Sequence, residues 1–423
     1  MAGGGAGLDR RTVKPRLPPD WRNLVRGVSA QWGSILFAAA VSLALSVWLA
    51  RGMGPAGFGR YAYLLNLATL LALLQDAGMR TLVLREGVAA GIPAPMARAL
   101  PGLARGHLLW STLLLAAASL AARHAGGDPA LVWAVLCFGA VTLTQLVSAQ
   151  LKAAGLWQRD ASWLAGARAL SAVLVVMAVL LLGYDPGVVF AAWGCGLVLA
   201  YLWLGRGLRD RPQWRPQPLA YRAAAGFFWI DTATGLYRRS DVVILQHMVP
   251  AAELGQYAAA YRVFDGVLLL AMPVALLLFR QLRLQRTQAT RARRLEDRAL
   301  WLAGAAGLAL AATGAWFGTL LMELLYGAAY RVVAGQVLGW LFAAFVFVLP
   351  NYVLTQAAIA SDRQRWYVLG AGLAAVVNIA LNLLLTRQYG VHGAAIAVIA
   401  TEATLTATLW CGLRIAGRGR AHA

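Results

Sequence analysis

Charge is scarce in this sequence. Only 13% of its 423 residues are Asp, Glu, Lys or Arg, about half the share of an ordinary soluble domain. Meanwhile 60% are hydrophobic and the mean hydropathy is +0.63. A soluble enzyme, a disordered chain and a fibrous protein are excluded together, since none carries so apolar a composition. Acidic residues are fewer still, 17 against 38 basic, and lysine is nearly missing, with only Lys14 and Lys152. The five histidines are scattered, and Cys137, Cys195 and Cys411 each sit inside an apolar run. Neither residue type offers metal-ligand spacing or a disulfide framework. No serine stands in a nucleophile elbow, and no loop is long enough to hold catalytic carboxylates. Catalysis is therefore not expected, and no metal or cofactor is called for.

What the chain does have is a series of continuous apolar runs, each about the 20 residues that a helix needs to cross hydrocarbon. Twelve are read at 28–50, 60–82, 100–122, 130–153, 162–183, 186–205, 221–247, 254–279, 300–325, 333–357, 364–386 and 391–413. Strands of a membrane barrel would alternate polar and apolar residues, so the fold class expected is an all-α polytopic membrane protein. The net charge of +21 is read as orienting arginine, with no nucleic-acid partner. Placing the N-terminus in the cytoplasm puts 29 basic residues on that side and five (Arg51, Arg60, Arg123, Arg331, Arg387) on the other. That split obeys the positive-inside rule and places both termini in the cytoplasm. The segment Gly52–Gly57 matches G-x-G-x-x-G, but membrane-length helices flank it, and a dinucleotide fingerprint needs a preceding strand. It reads as a turn. Arg10–Arg11 ahead of span 1 is not read as an export signal, because the apolar run is too long.

The linker after span 1, Met53-Gly54-Pro55-Ala56-Gly57-Phe58-Gly59-Arg60-Tyr61, aligns with Met248-Val249-Pro250-Ala251-Ala252-Glu253-Leu254-Gly255-Gln256-Tyr257 after span 7, with one inserted residue. A weaker echo joins Tyr184–Gly187 to Tyr389–Gly393 at a similar offset. Two parallel six-helix repeats are expected, with a substrate path at their interface. The boundaries expected are a disordered tail at 1–25, an N-terminal lobe at 26–210, a linker at 211–218, a C-terminal lobe at 219–414 and a tail at 415–423.

Ionisable residues inside spans are costly in lipid and normally face a cavity or a partner. Span 7 holds Asp231, Arg238, Arg239 and Asp241, and span 8 holds Arg262 and Asp265. Span 2 ends with Asp76 and Arg80, and span 5 holds Arg168 with no acid on its own helix. Helical spacing suggests Asp231 with Arg238, Arg238 with Asp241, Arg262 with Asp265 and Asp76 with Arg80. The five arginines are candidates to bind an anionic group such as a diphosphate. The four aspartates are candidates for charge partners and for coupling to an ion. Glu323 is read as interfacial, Glu402 as a lone acid, and Asn378 with Asn382 as interhelical glue.

The segments Leu49–Tyr61, Leu74-Gln75-Asp76-Ala77-Gly78, Arg85-Glu86, Arg239-Ser240-Asp241, Gly255–Arg262 and Tyr389–Ala397, in that order, resemble the polysaccharide transporter family. These are Wzx-type flippases in the MOP superfamily of MATE exporters and the MurJ lipid II flippase. The resemblance implies a MATE-like pair of lobes around a central cavity in a bacterial plasma (inner) membrane. It implies a lipid-linked oligosaccharide as substrate, moved between leaflets on an undecaprenyl-diphosphate carrier. Further partners implied are membrane lipid, a coupling ion (proton or sodium), and a polymerase or glycosyltransferases of the same pathway. Two C-terminal helices of MurJ-like members have no counterpart in the twelve spans, which argues against lipid II. The alternatives are a MATE-type exporter, which would want a carboxylate-dominated cavity, and a membrane polymerase or ligase, which would want a large catalytic loop.

Overall fold

Runs rich in leucine and alanine are strong helix formers, and in lipid only a helix satisfies the backbone within one segment. The computed structural model, which describes residues 21–88, 94–205, 211–285 and 288–418, is accordingly helical. Its elements are α1 (Trp21–Asp76), α2 (Met79–Val88), α3 (Ala94–His124), α4 (Leu131–Ala153), α5 (Trp157–Leu182), α6 (Pro186–Leu204), α7 (Pro218–Leu245), α8 (Ala251–Leu284), α9 (Ala289–Tyr326), α10 (Val332–Ala343), α11 (Phe345–Ala360) and α12 (Arg365–Arg418).

Two expected linkers turn out to be single-residue bends. α1 holds spans 1 and 2, and α12 holds spans 11 and 12. Each breaks only at one glycine, Gly54 (φ 67°, ψ 175°) and Gly390 (φ 55°, ψ −136°). Positive φ is cheap for glycine alone, and Pro55 then opens the second arm, where its missing N–H costs nothing. Residues 55–59, read as linker, are helical. A second difference lies at the end of α1. Ala77 (φ 47°) and Gly78 (φ 74°) make a left-handed turn that separates Asp76 from Arg80, which the sequence reading placed on one helical face.

Among the described residues, eight helical stretches are long and apolar enough to cross a membrane, α1 and α12 counting once each and α10 with α11 counting as one. α7 and α8, which bear the ionisable residues of spans 7 and 8, are not among the eight. The helices α1–α6 pack on one another, as do α7–α12, and the two groups meet chiefly where α1 lies against α8 and α7. This is the expected two-lobe arrangement.

The lobes touch most closely at the end expected to face the periplasm. A Cβ added to Gly59 would overlap the carbonyl oxygen of Ala251, and one added to Gly255 would overlap that of Pro55. Gly59 and Gly255 are equivalent positions of the sequence repeat, so the contact is self-complementary, as an interface across a two-fold axis must be. Around it Phe58, Tyr257, Tyr326 and Tyr330 are fully buried. The Tyr330 hydroxyl donates to the Ala50 carbonyl at 3.0 Å. Arg51 donates to the carbonyls of Leu324 and Leu325 at 2.5 and 2.8 Å, satisfying acceptors that the end of α9 leaves open. At the opposite end, Ala220 and Ala224 of α7 pack on Met79, Leu82, Leu100 and Leu103 of α2 and α3, so the first half of α7 rests on the N-terminal lobe.

Candidate functional site

Between the lobes two adjoining cavities, of about 190 and 380 Å³, share Ser42, Arg168, Arg239 and Arg262 as lining and form one cleft. Both arms of α1 line it, the first between residues 38 and 49 and the second through Tyr61, Leu65, Asn66 and Thr69. Arg168 comes from α5 in the N-terminal lobe, and Arg239 and Arg262 come from α7 and α8 in the other. Three of the five expected arginines thus meet in one space. Arg239 lies 3.9 Å from Asp265 and donates to the Asn66 side-chain oxygen at 3.4 Å. Asp265 is the single carboxylate among the lining residues. The guanidinium of Arg168 lies over the Trp193 ring, 5.6 Å from its centroid. The side chain of Arg238 lies outside the described ones.

Arg80 is placed elsewhere. Its backbone N–H is capped by the Asp76 carboxylate at 3.2 Å, while its guanidinium reaches Gln145 of α4 and lies 3.8 Å from Asp231 of α7. The expected side-chain pairing with Asp76 is replaced by a backbone cap, because the turn at Ala77–Gly78 re-aims α2. Asp231 accordingly joins Arg80 across the lobe boundary. Asp265 turns from Arg262, its neighbour on α8, to Arg239.

Asp241 is buried and is not among the residues that line the cleft. It accepts a 2.6 Å hydrogen bond from the Tyr257 hydroxyl and lines a further cavity of about 300 Å³ in the C-terminal lobe, which shares Leu268 and Tyr352 with the cleft, together with Asn351, Asn378, Thr401 and Glu402. Asn351 donates to the Glu402 carboxylate at 2.8 Å and accepts from Thr406 at 2.7 Å. Asn378 donates to Thr401 at 3.2 Å, joining the two arms of α12. Asn66, Trp193 and Asn351 are site residues that the sequence alone does not single out. An amide in an apolar span was the available signal for the two asparagines, whereas Trp193 is one of 16 tryptophans and nothing in its spacing marks it out.

Asp128, between α3 and α4 and outside the membrane segments, is gripped by Arg60 through two hydrogen bonds of 2.5 and 2.7 Å, and Arg60 also reaches Asp185 at 3.2 Å. That guanidinium holds the Asp128 carboxyl below the usual carboxylate range.

A model of the polysaccharide biosynthesis protein family matches residues 24–279. Among curated proteins no sequence match is found. The lipid II flippase MurJ, in an inward closed conformation, superposes with a TM-score of 0.72 at 11% identity, covering 90% of this chain and 86% of that one. The inward-facing conformation of a multidrug resistance MATE family transporter of the MOP superfamily gives 0.70 at 14% identity, with coverage of 91% and 96%. An outward-facing conformation of such a transporter gives 0.56 at 13% identity, with coverage of 94% and 96%. The fold is therefore that of the MATE and MurJ transporters.

Proposed function

The chain belongs to the polysaccharide biosynthesis protein family, and we propose that within it this protein is a flippase. It moves an undecaprenyl-diphosphate-linked oligosaccharide from the cytoplasmic to the periplasmic leaflet of a bacterial plasma membrane, for assembly of a surface polysaccharide. One observation carries this reading: arginines from both lobes line one cleft that holds a single carboxylate. Arginine stays charged when desolvated, and its donors match phosphate oxygens. Three cations against one acid suit an anionic diphosphate. A MATE-type exporter of cations would want the opposite balance. On this reading the prenyl chain stays in lipid while the diphosphate and sugars pass between the lobes.

Coupling is assigned to the C-terminal lobe. Asp241 and Glu402 line its inner cavity, and the Asp241–Tyr257 hydrogen bond links that cavity to α8, which carries Gly255 and Arg262. A proton or sodium ion arriving at Asp241 would alter that bond and, through α8, bias the contact between the lobes.

The test is glycan export in cells whose surface polymer depends on this protein. Arg239→Ala combined with Arg262→Ala should abolish export and leave lipid-linked precursor inside, at normal protein level. Lysine at both positions should restore part of it, because the charge returns without the planar fork. Full export from the double alanine variant overturns the assignment.

A further inference from the structure

The three arginines of the cleft are held differently. Arg239 has Asp265 and Asn66 nearby. Arg168 has an aromatic ring instead. Its guanidinium carbon lies 5.6 Å from the Trp193 ring centroid, and both side chains line the cleft. Trp193 is itself held by Phe138 of α4, another lining residue of the cleft, which meets it edge to face with centroids 5.9 Å apart. The set Phe138–Trp193–Arg168 joins α4, α6 and α5, three helices of one lobe that pack on each other.

A ring face attracts a guanidinium through its quadrupole but has no oxygen to accept its N–H groups. A carboxylate at the same place would occupy two of the five donors and cancel the charge. The ring therefore steadies Arg168 in a desolvated site while leaving both its charge and its donors to an incoming anion. The other lobe presents Arg239 and Arg262 to the same space.

We propose that Trp193 is a positioning residue for substrate binding. It holds Arg168 as an unneutralised cation on the N-terminal lobe, so that a diphosphate in the cleft is gripped from both lobes. This rests on the reading that the cleft takes a diphosphate. Anion binding then bridges the lobes through Arg168 on one side and Arg239 with Arg262 on the other, and Trp193 acts only through Arg168.

The test is calorimetric binding of farnesyl diphosphate to the purified full chain in detergent, with farnesol as the uncharged control. Losing a desolvated cation–π contact should make Trp193→Leu bind about tenfold more weakly. Trp193→Phe, which keeps a π face, should stay within about threefold. The deciding variant is Trp193→Leu with Arg168→Ala, which should bind no more weakly than Arg168→Ala alone, since the tryptophan then has nothing to position. A tryptophan that merely filled space would weaken binding by the same factor in both backgrounds, and that result overturns the proposal. So does unchanged binding by Trp193→Leu. If the unmodified protein binds farnesyl diphosphate no better than farnesol, the flippase reading itself fails and carries this inference with it.

Discussion

Asp128 sits at the sealed end with its carboxylate gripped by Arg60, and its depressed pKa sets a sign for the effect of pH. A carboxyl lowered on folding stabilises the protein above its unfolded value, about 3.9. That contribution is lost as pH falls through the lower folded value. Arg60 is 38% exposed, so solvent screens the pair and the effect is small. The unmodified protein should melt about 1–2 °C above Asp128→Asn at pH 7, and the two should converge as the buffer is acidified toward pH 3. A gap that stays constant across that range contradicts the account. The residues themselves were legible in the sequence, because an ionisable group in an apolar run is costly and therefore conspicuous. Their partners were not. Helical spacing reports only neighbours on the same helix, whereas Arg239 turns to Asp265 of α8, Arg80 to Asp231 of α7 and Asp241 to Tyr257 of α8. Each pairing depends on how two helices cross, which no single span encodes.

At the scale of elements, Gly59 and Gly255 carry the most consequence. The repeat that contains them was visible as a match between two segments about 195 residues apart. That the two copies touch each other was not, because a two-fold contact is a property of the assembled lobes. The same limit explains the misread linkers. Gly54-Pro55 has the composition of a loop, yet one positive φ suffices to turn the chain, and the following residues continue as helix. A side chain at Gly255 would meet the Pro55 carbonyl, and overpacking of that kind costs about 1–3 kcal/mol. Gly255→Leu should therefore shift the lobes toward separation at this end by about tenfold or more. With Ser42→Cys in the cleft as a reporter, a membrane-impermeant maleimide added from the periplasmic side should label the Gly255→Leu variant faster than the parent. Equal labelling rates would show that the glycine contact does not gate the cleft.

For the whole molecule, the fold and the arginine cleft make two statements that converge. The lobes share the fold of the MATE and MurJ transporters, and one end is packed by the repeat contact. The space between them collects cations from both lobes, with one acid to offset them. Polytopic helical character and the two-lobe plan followed from composition and the repeat alone, whereas the cleft existed only once α1, α5, α7 and α8 were brought together. The most direct measurement is translocation by the purified protein in liposomes, with a fluorescent short-chain polyprenyl-diphospho-oligosaccharide and a lectin outside that reports newly exposed sugar. The account predicts protein-dependent exposure of the sugar, lost in the Arg239→Ala, Arg262→Ala variant and unaffected by an excess of a lipophilic cation. Exposure that matches protein-free liposomes, in a preparation that instead accumulates the lipophilic cation, would contradict it.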